Sequence, residues 1–366
     1  MKRFSMILAA LIAAILMNIT AYAEASDFEG EVRSRLSEAD TADIADGLER
    51  VGIEPDDPES VNDLTAEGIL GYIGDIVKEA LGRPLRIILI FTAVAAVSRV
   101  ASALSTKAGL YGELFVIICF LSVSPYVIET FSSLLSSMLG CQAFMASYIP
   151  VFAAVTAASG NVAAAASYNA IVLYFCEAAA AAATAVLRPI LACMLVMSVT
   201  QAINPDLSGL TAAVRNALTV IIGFIMTVFL GVIGLQTLAG RGAEGIAVKA
   251  GKYAVSSFVP VIGYSLSESY KAVSVSLSAI RTTVGTFGIV ILCVFMVSPI
   301  ITASVYKMSF SVCSWLCRLS GADGIASLAG GLADVFGFAS TVLTVFMLML
   351  TVATGMLIIL GGDMLL

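Results

Sequence analysis

The chain has 366 residues, of which 59% are hydrophobic and only 12% charged, with a formal net charge of −7 and a mean hydropathy of +1.00. Soluble domains carry about twice that share of charge, so this composition points to a polytopic membrane protein. It offers no basic surface for nucleic acid. Without histidine it also lacks the usual general base, the Ser-His and Cys-His nucleophile pairs and most zinc and haem ligand sets.

The charge is unevenly spread. Seventeen of the 26 acidic residues lie between Glu24 and Glu79, where the only basic residues are Arg33, Arg35, Arg50 and Lys78. Ahead of this acidic segment, Met1-Lys2-Arg3 is followed by an apolar core from Ile7 to Leu16. Ala21-Tyr22-Ala23 then supplies the small residues of an export cleavage site. Residues 1–23 are therefore read as a signal peptide and residues 24–84 as an acidic extracytoplasmic helical segment. Within it, Ser26 to Glu29 forms a capping box. Phe28, Val32 and Leu36, then Ile44, Leu48 and Val51, recur at helical spacing. Pro55 and Pro58 mark a loop, and Leu70, Ile73, Val77 and Leu81 predict a second amphipathic helix ending near Gly82 and Pro84. The carboxylates form no calcium-binding loop.

From Leu85 onward the chain is a succession of apolar runs, and residues 85–366 read as a transmembrane domain of roughly 7–8 helices. The runs are Leu85–Leu104, Leu114–Leu139, Gln142–Ser159, Val162–Leu187, Pro189–Ile203, Ala217–Ala239, Thr283–Tyr306 and Phe336–Leu360. The expected fold class is all-α. Arg99 lies near a helix end and is expected to snorkel. Glu129 and Glu177 are intramembrane carboxylates, read either as an ion or substrate relay or as members of interhelical pairs. The alanine-rich run Val162–Leu187 is a candidate central packing helix, and Gly321, Gly324, Gly330, Gly331 and Gly337 invite close helix approach by the same logic. The basic residues Arg241, Lys249 and Lys252 place that loop in the cytoplasm. Counting six full spans before it then gives the opposite side, so either one run is re-entrant, with 142–161 the leading candidate, or two runs merge. Cys313 and Cys317, one helical turn apart, read as two packing residues. Gly240 to Gly245 matches a dinucleotide-binding spacing but lies in no strand–turn–helix setting, and there is no Walker A sequence. No cofactor, metal site or catalytic constellation is expected, so the chain is not read as an enzyme.

Ser267, Lys271, Ser274, Ser278 and Arg281 are spaced 4, 3, 4 and 3, which puts them on one stripe of a helix. The stripe is read as lining a lumen, contacting another helix or lying at the membrane surface. A strand would match the alternating serines equally well, but its open edge in lipid would be costly.

Several words of the sequence carry a resemblance. They are Tyr148-Ile-Pro-Val151 with Ala158-Ser-Gly160, Lys252-Tyr-Ala-Val-Ser-Ser-Phe-Val-Pro-Val-Ile-Gly263, and Arg281-Thr-Thr-Val-Gly285. With the order signal peptide, acidic segment and multi-span body, the chain resembles the stage III sporulation protein AE family over nearly its whole length. The resemblance implies a non-enzymatic membrane subunit of a secretion-like channel between mother cell and forespore. It would sit in the mother-cell membrane surrounding the forespore and support late forespore development. Implied partners are ring-forming proteins, a secretion-type ATPase and a forespore-made membrane protein, besides membrane lipid. The family defines no catalytic residues to carry over. A self-contained secondary transporter or permease using the buried carboxylates is the alternative reading, and an intramembrane enzyme is the third.

Overall fold

The computed structural model describes residues 46–54, 60, 65–104, 108–158, 162–182, 187–207, 209, 211–232 and 263–360. The signal-peptide reading and the basic loop 241–256 lie outside the described residues. Every regular element described is helical. A short helix α1 (46–51) precedes α2 (Ala66–Leu104), α3 (Ala108–Ala158), α4 (Val162–Ala182) and α5 (Arg188–Ile203). After a 3₁₀ turn at Pro205–Leu207 come α6 (Thr211–Val232), α7 (Gly263–Leu319) and α8 (Asp323–Leu360). Within the described residues five helices are long and apolar enough to cross a membrane: α2, α3, α6, α7 and α8. The molecule is an all-α, multi-helix membrane bundle.

The helices ignore several breaks that the sequence signals. α2 continues through Pro84, so the amphipathic segment and the first apolar run form one 39-residue helix rather than ending near Gly82. α3 joins Leu114–Leu139 to residues 142–158 in one 51-residue helix containing Pro125 and Pro150, so these two runs merge and 142–158 is not a re-entrant piece. α7 runs 57 residues through Pro299. Proline removes one backbone hydrogen bond, but the remaining turns and the surrounding helices hold the axis. At a rise of 1.5 Å per residue, α3 and α7 reach about 75 and 85 Å, far beyond a hydrocarbon core of about 30 Å.

α7 and α8 form the centre of the bundle, packed along one another more extensively than any other pair. This displaces the alanine-rich α4 from its expected central place; α4 packs chiefly on α3. The α7–α8 turn is a helix C-cap. Ala322 N–H donates to Cys317 O and Gly321 N–H to Arg318 O, each at 2.9 Å, with Gly321 at φ +72°. That left-handed backbone favours glycine. Arg99 of α2 donates from Nη1 to Gly321 O at 3.1 Å, so it fastens this turn instead of extending freely to the membrane surface.

The core runs the length of the bundle. Phe91, Phe310, Phe336, Phe131 and Tyr306 form an aromatic cluster joining α2, α3, α7 and α8, with Phe131 stacked on Phe336 at 4.6 Å and Phe336 on Tyr306 at 4.9 Å. Cys313 and Cys317 are both buried in this core. The glycines of α8 act as expected: a Cβ at Gly331 would lie 2.6 Å from Ser198 Cβ of α5, and one at Gly324 would lie 3.0 Å from Val116 of α3. Several buried hydroxyls close onto their own helix, as with Thr130 to Tyr126 O and Ser198 to Met194 O at 2.8 Å, while Ser314 of α7 donates across to Ala326 O of α8 at 2.8 Å, which satisfies them without water. A second small cluster seats Leu48, Val51 and Ile53 against Ile291 and Val294 of α7, so the described part of the acidic segment lies against the bundle.

Candidate functional site

The candidate site is a set of charges that the sequence puts at the ends of separate spans. Arg215 precedes the run Ala217–Ala239, Lys307 follows Thr283–Tyr306, and Asp334 precedes Phe336–Leu360. Because α6, α7 and α8 extend past those limits, all three fall inside long apolar helices. Arg215 Nη1 and Asp334 Oδ1 form an ion pair at 2.5 Å between α6 and α8. Lys307 lies across Gly337: a Cβ there would meet its Cε at 3.3 Å and Nζ at 3.6 Å, so the missing side chain leaves room for the lysine stem. One turn away, the Ser304 and Ser340 hydroxyls are bonded at 3.1 Å. The sequence signal for these residues is a lone charge within a largely apolar stretch, which hydropathy places at the limit of a span.

Glu129, expected inside a span, is ion-paired with Arg83 of α2 at 2.9 Å. This pair belongs to the same level of the bundle. Glu129 is two residues from Phe131, which stacks on Phe336; Phe336 is two residues from Asp334 and stacks on Tyr306, the neighbour of Lys307. Arg83, Glu129, Lys307, Arg215 and Asp334 thus form a charged belt around an aromatic centre. Glu177 lies elsewhere. It accepts a hydrogen bond from Gln142 Nε2 at 3.3 Å, and Gln142 is thirteen residues, about 20 Å, from Glu129 along α3. The two carboxylates do not converge on one site.

The polar stripe lies on α7, which settles the local conformation as helix rather than strand. The side chains of Ser267, Lys271, Ser274 and Ser278 lie outside the described residues. Arg281, the last of the stripe, is 1% exposed and donates from Nη2 to Ile358 O of α8 at 3.3 Å. Beside it two of the words that carry the resemblance, the one starting at Tyr148 and the one from Arg281 to Gly285, meet in space. Tyr148 of α3 lies on Gly288 and donates to Val284 O at 3.1 Å, and Phe152 and Ile358 close on Gly285. The aromatic rings of Phe144, Tyr148 and Phe152 stack successively at 5.6 Å. Among the described residues no group of three or more acidic or cysteine side chains is placed to hold a metal ion.

Comparison with known proteins gives a family. The family model for stage III sporulation protein AE matches residues 57–356. The stage III sporulation protein AE of Bacillus subtilis (strain 168) is 23% identical over 218 residues, which cover 57% of this chain and 54% of that protein. The chain thus spans about half the length of this curated relative. No solved structure matches.

Proposed function

The chain belongs to the stage III sporulation protein AE family, a sporulation-related, non-enzymatic membrane protein, and from that premise we propose that it is an integral subunit of a transenvelope channel between mother cell and forespore. Its place is the mother-cell membrane around the forespore. It assembles there with ring-forming proteins, a secretion-type ATPase and a forespore-made membrane protein, and the complex supports late forespore development. Residues 1–23 serve as its export signal, and residues 24–84 stand outside the cytoplasm.

The observation that carries this reading is the match over residues 57–356, which takes in every helix from α2 to α7. The joint of Tyr148, Phe152, Arg281, Gly285 and Gly288 supports it, because two of the words that carry the resemblance, at Tyr148 and at Arg281 to Gly285, pack together where α3, α7 and α8 meet. Deleting the gene in the spore-former that carries it is expected to arrest forespore development after engulfment, with restoration by the full chain. Normal spores from the deletion strain would refute the reading. The transporter alternative gains no support from the geometry, since Glu129 and Glu177 stand apart and each faces outward.

The stripe on α7 is proposed to face the conduit up to the point where Arg281 turns inward. Cysteines introduced at 267, 274 and 278 are then expected to react with a water-soluble thiol reagent, while those at 273 and 277 stay protected. Equal protection of all five positions would remove the stripe from the conduit wall.

A further inference from the structure

Two of the three belt cations are matched within the chain and one is not. Arg83 is paired with Glu129 and Arg215 with Asp334. The ammonium of Lys307, in the seam between α7 and α8, has no hydrogen-bond or ion-pair partner among the described residues. Its own helix is apolar around it. Along α7 the nearest charged residues are Arg318, eleven residues or about 16 Å away, and Arg281, much further in the other direction. Along α8 no charge follows Asp334 before the helix ends at Leu360. A cation held in such a stretch is costly in lipid and is expected to meet an opposite charge.

The surface around Lys307 is shaped for close approach. Gly337 lies beneath the lysine stem, where a Cβ would meet Cε at 3.3 Å. The neighbouring hydroxyls are already satisfied: Ser304 is bonded to Ser340 at 3.1 Å, and Thr341 donates to Gly337 O at 2.8 Å. Glycine and internally bonded hydroxyls let a second helix come close to the backbone. Lipid phosphate is a poorer match. A lysine that snorkels to the headgroups has an apolar surface on one side only, whereas Val312 is 46% exposed on one side of Lys307 and Leu348 42% exposed on the other.

We propose that this face of α7 and α8 is a docking site for a transmembrane helix of a partner protein that carries a carboxylate, which closes on the ammonium of Lys307. Asp334 is committed to Arg215, so the face keeps one unmatched positive charge and selects an acidic helix over a neutral or basic one. Gly337 lets the incoming backbone approach the seam, and Met308 and Thr341, both exposed beside Lys307, are covered by the apolar part of the same helix. These properties follow from the packing of α7 and α8, so the site would stand even if the sporulation role were refuted.

The test uses the full chain in phosphatidylcholine vesicles with synthetic leucine–alanine transmembrane peptides, each bearing a dansyl acceptor and either leucine or aspartate at its centre. Trp315, the only tryptophan, is exposed eight residues, about 12 Å, along α7 from Lys307, so transfer of its emission to dansyl reports a docked peptide. The aspartate peptide is expected to bind about tenfold more tightly than the leucine peptide. Lys307→Met should bring the aspartate peptide down to the leucine level, and Lys307→Arg, which keeps the charge, should preserve the difference. Equal binding of the two peptides, or an aspartate preference that survives Lys307→Met, would overturn the proposal. So would loss of the preference when phosphatidylglycerol replaces part of the phosphatidylcholine, since lipid phosphate would then be the counter-ion.

Discussion

Gly288→Leu is expected to destabilise the folded bundle severely. The ring of Tyr148 lies where a Cβ at position 288 would go, and that ring has nowhere to move. It is stacked between Phe144 and Phe152 at 5.6 Å on each side, and its hydroxyl donates to Val284 O at 3.1 Å. Overpacking of a tight core costs about 1–3 kcal/mol, and more where the neighbour cannot yield. A loss of at least about 3 kcal/mol follows, a substantial fraction of the roughly 5–15 kcal/mol that holds most domains folded. Unfolding in detergent, followed by circular dichroism, reads it directly. Two comparisons make the cause specific. Gly223→Leu on α6, where a Cβ would meet nothing within 4 Å, should leave the unfolding midpoint unchanged or raise it. Adding Tyr148→Ala to Gly288→Leu should recover part of the loss, because the two residues are in contact and their effects cannot add. Equal midpoints for Gly288→Leu and wild type would show that the three helices do not meet here.

Arg281→Ala is expected to destabilise the same joint by about 2–4 kcal/mol. The arginine is 1% exposed and reaches across to Ile358 O, in the last turn of α8. Carbonyls in a final helical turn have no partner within their own helix, and they carry the negative end of the helix dipole. Removing the guanidinium therefore takes away a donor, a favourable charge and the volume of a long side chain together. Arg281→Met keeps most of the volume and should cost less, since an apolar replacement of a buried charge also removes its desolvation penalty. Hydrogen exchange separates the contributions: both variants should speed exchange in the last turns of α8, while only the alanine variant should lower the global midpoint strongly. Unchanged exchange near residue 358 in both would show that Arg281 does not cap α8.

Much of the architecture follows from local chemistry. Apolar runs of about 20 residues, a charge-poor body and the glycines of α8 specify buried helices in close contact, and Gly324, Gly331 and Gly337 are each approached by a neighbouring helix. The site was less legible. Arg215, Lys307 and Asp334 each interrupt a hydrophobic stretch, and hydropathy places such a residue at the end of a span. A different local signal, glycine and proline read as helix ends, cut α2 near Gly82 and Pro84. Glu129 stands out as a charge within an apolar run from its neighbours in sequence, but its partner Arg83 is 46 residues away on another helix.

By itself the sequence determined that this chain is helical, membrane-bound and built for helix–helix contact, because backbone groups in lipid must be satisfied within the segment and side-chain polarity is a local property. Only the tertiary structure decided where the helices end, which helices form the centre, and that five charges from five helices share one level. Those outcomes depend on which side chains meet across the bundle. The aromatic contacts of Phe131, Phe336 and Tyr306 set that register, and no spacing within a single helix encodes it.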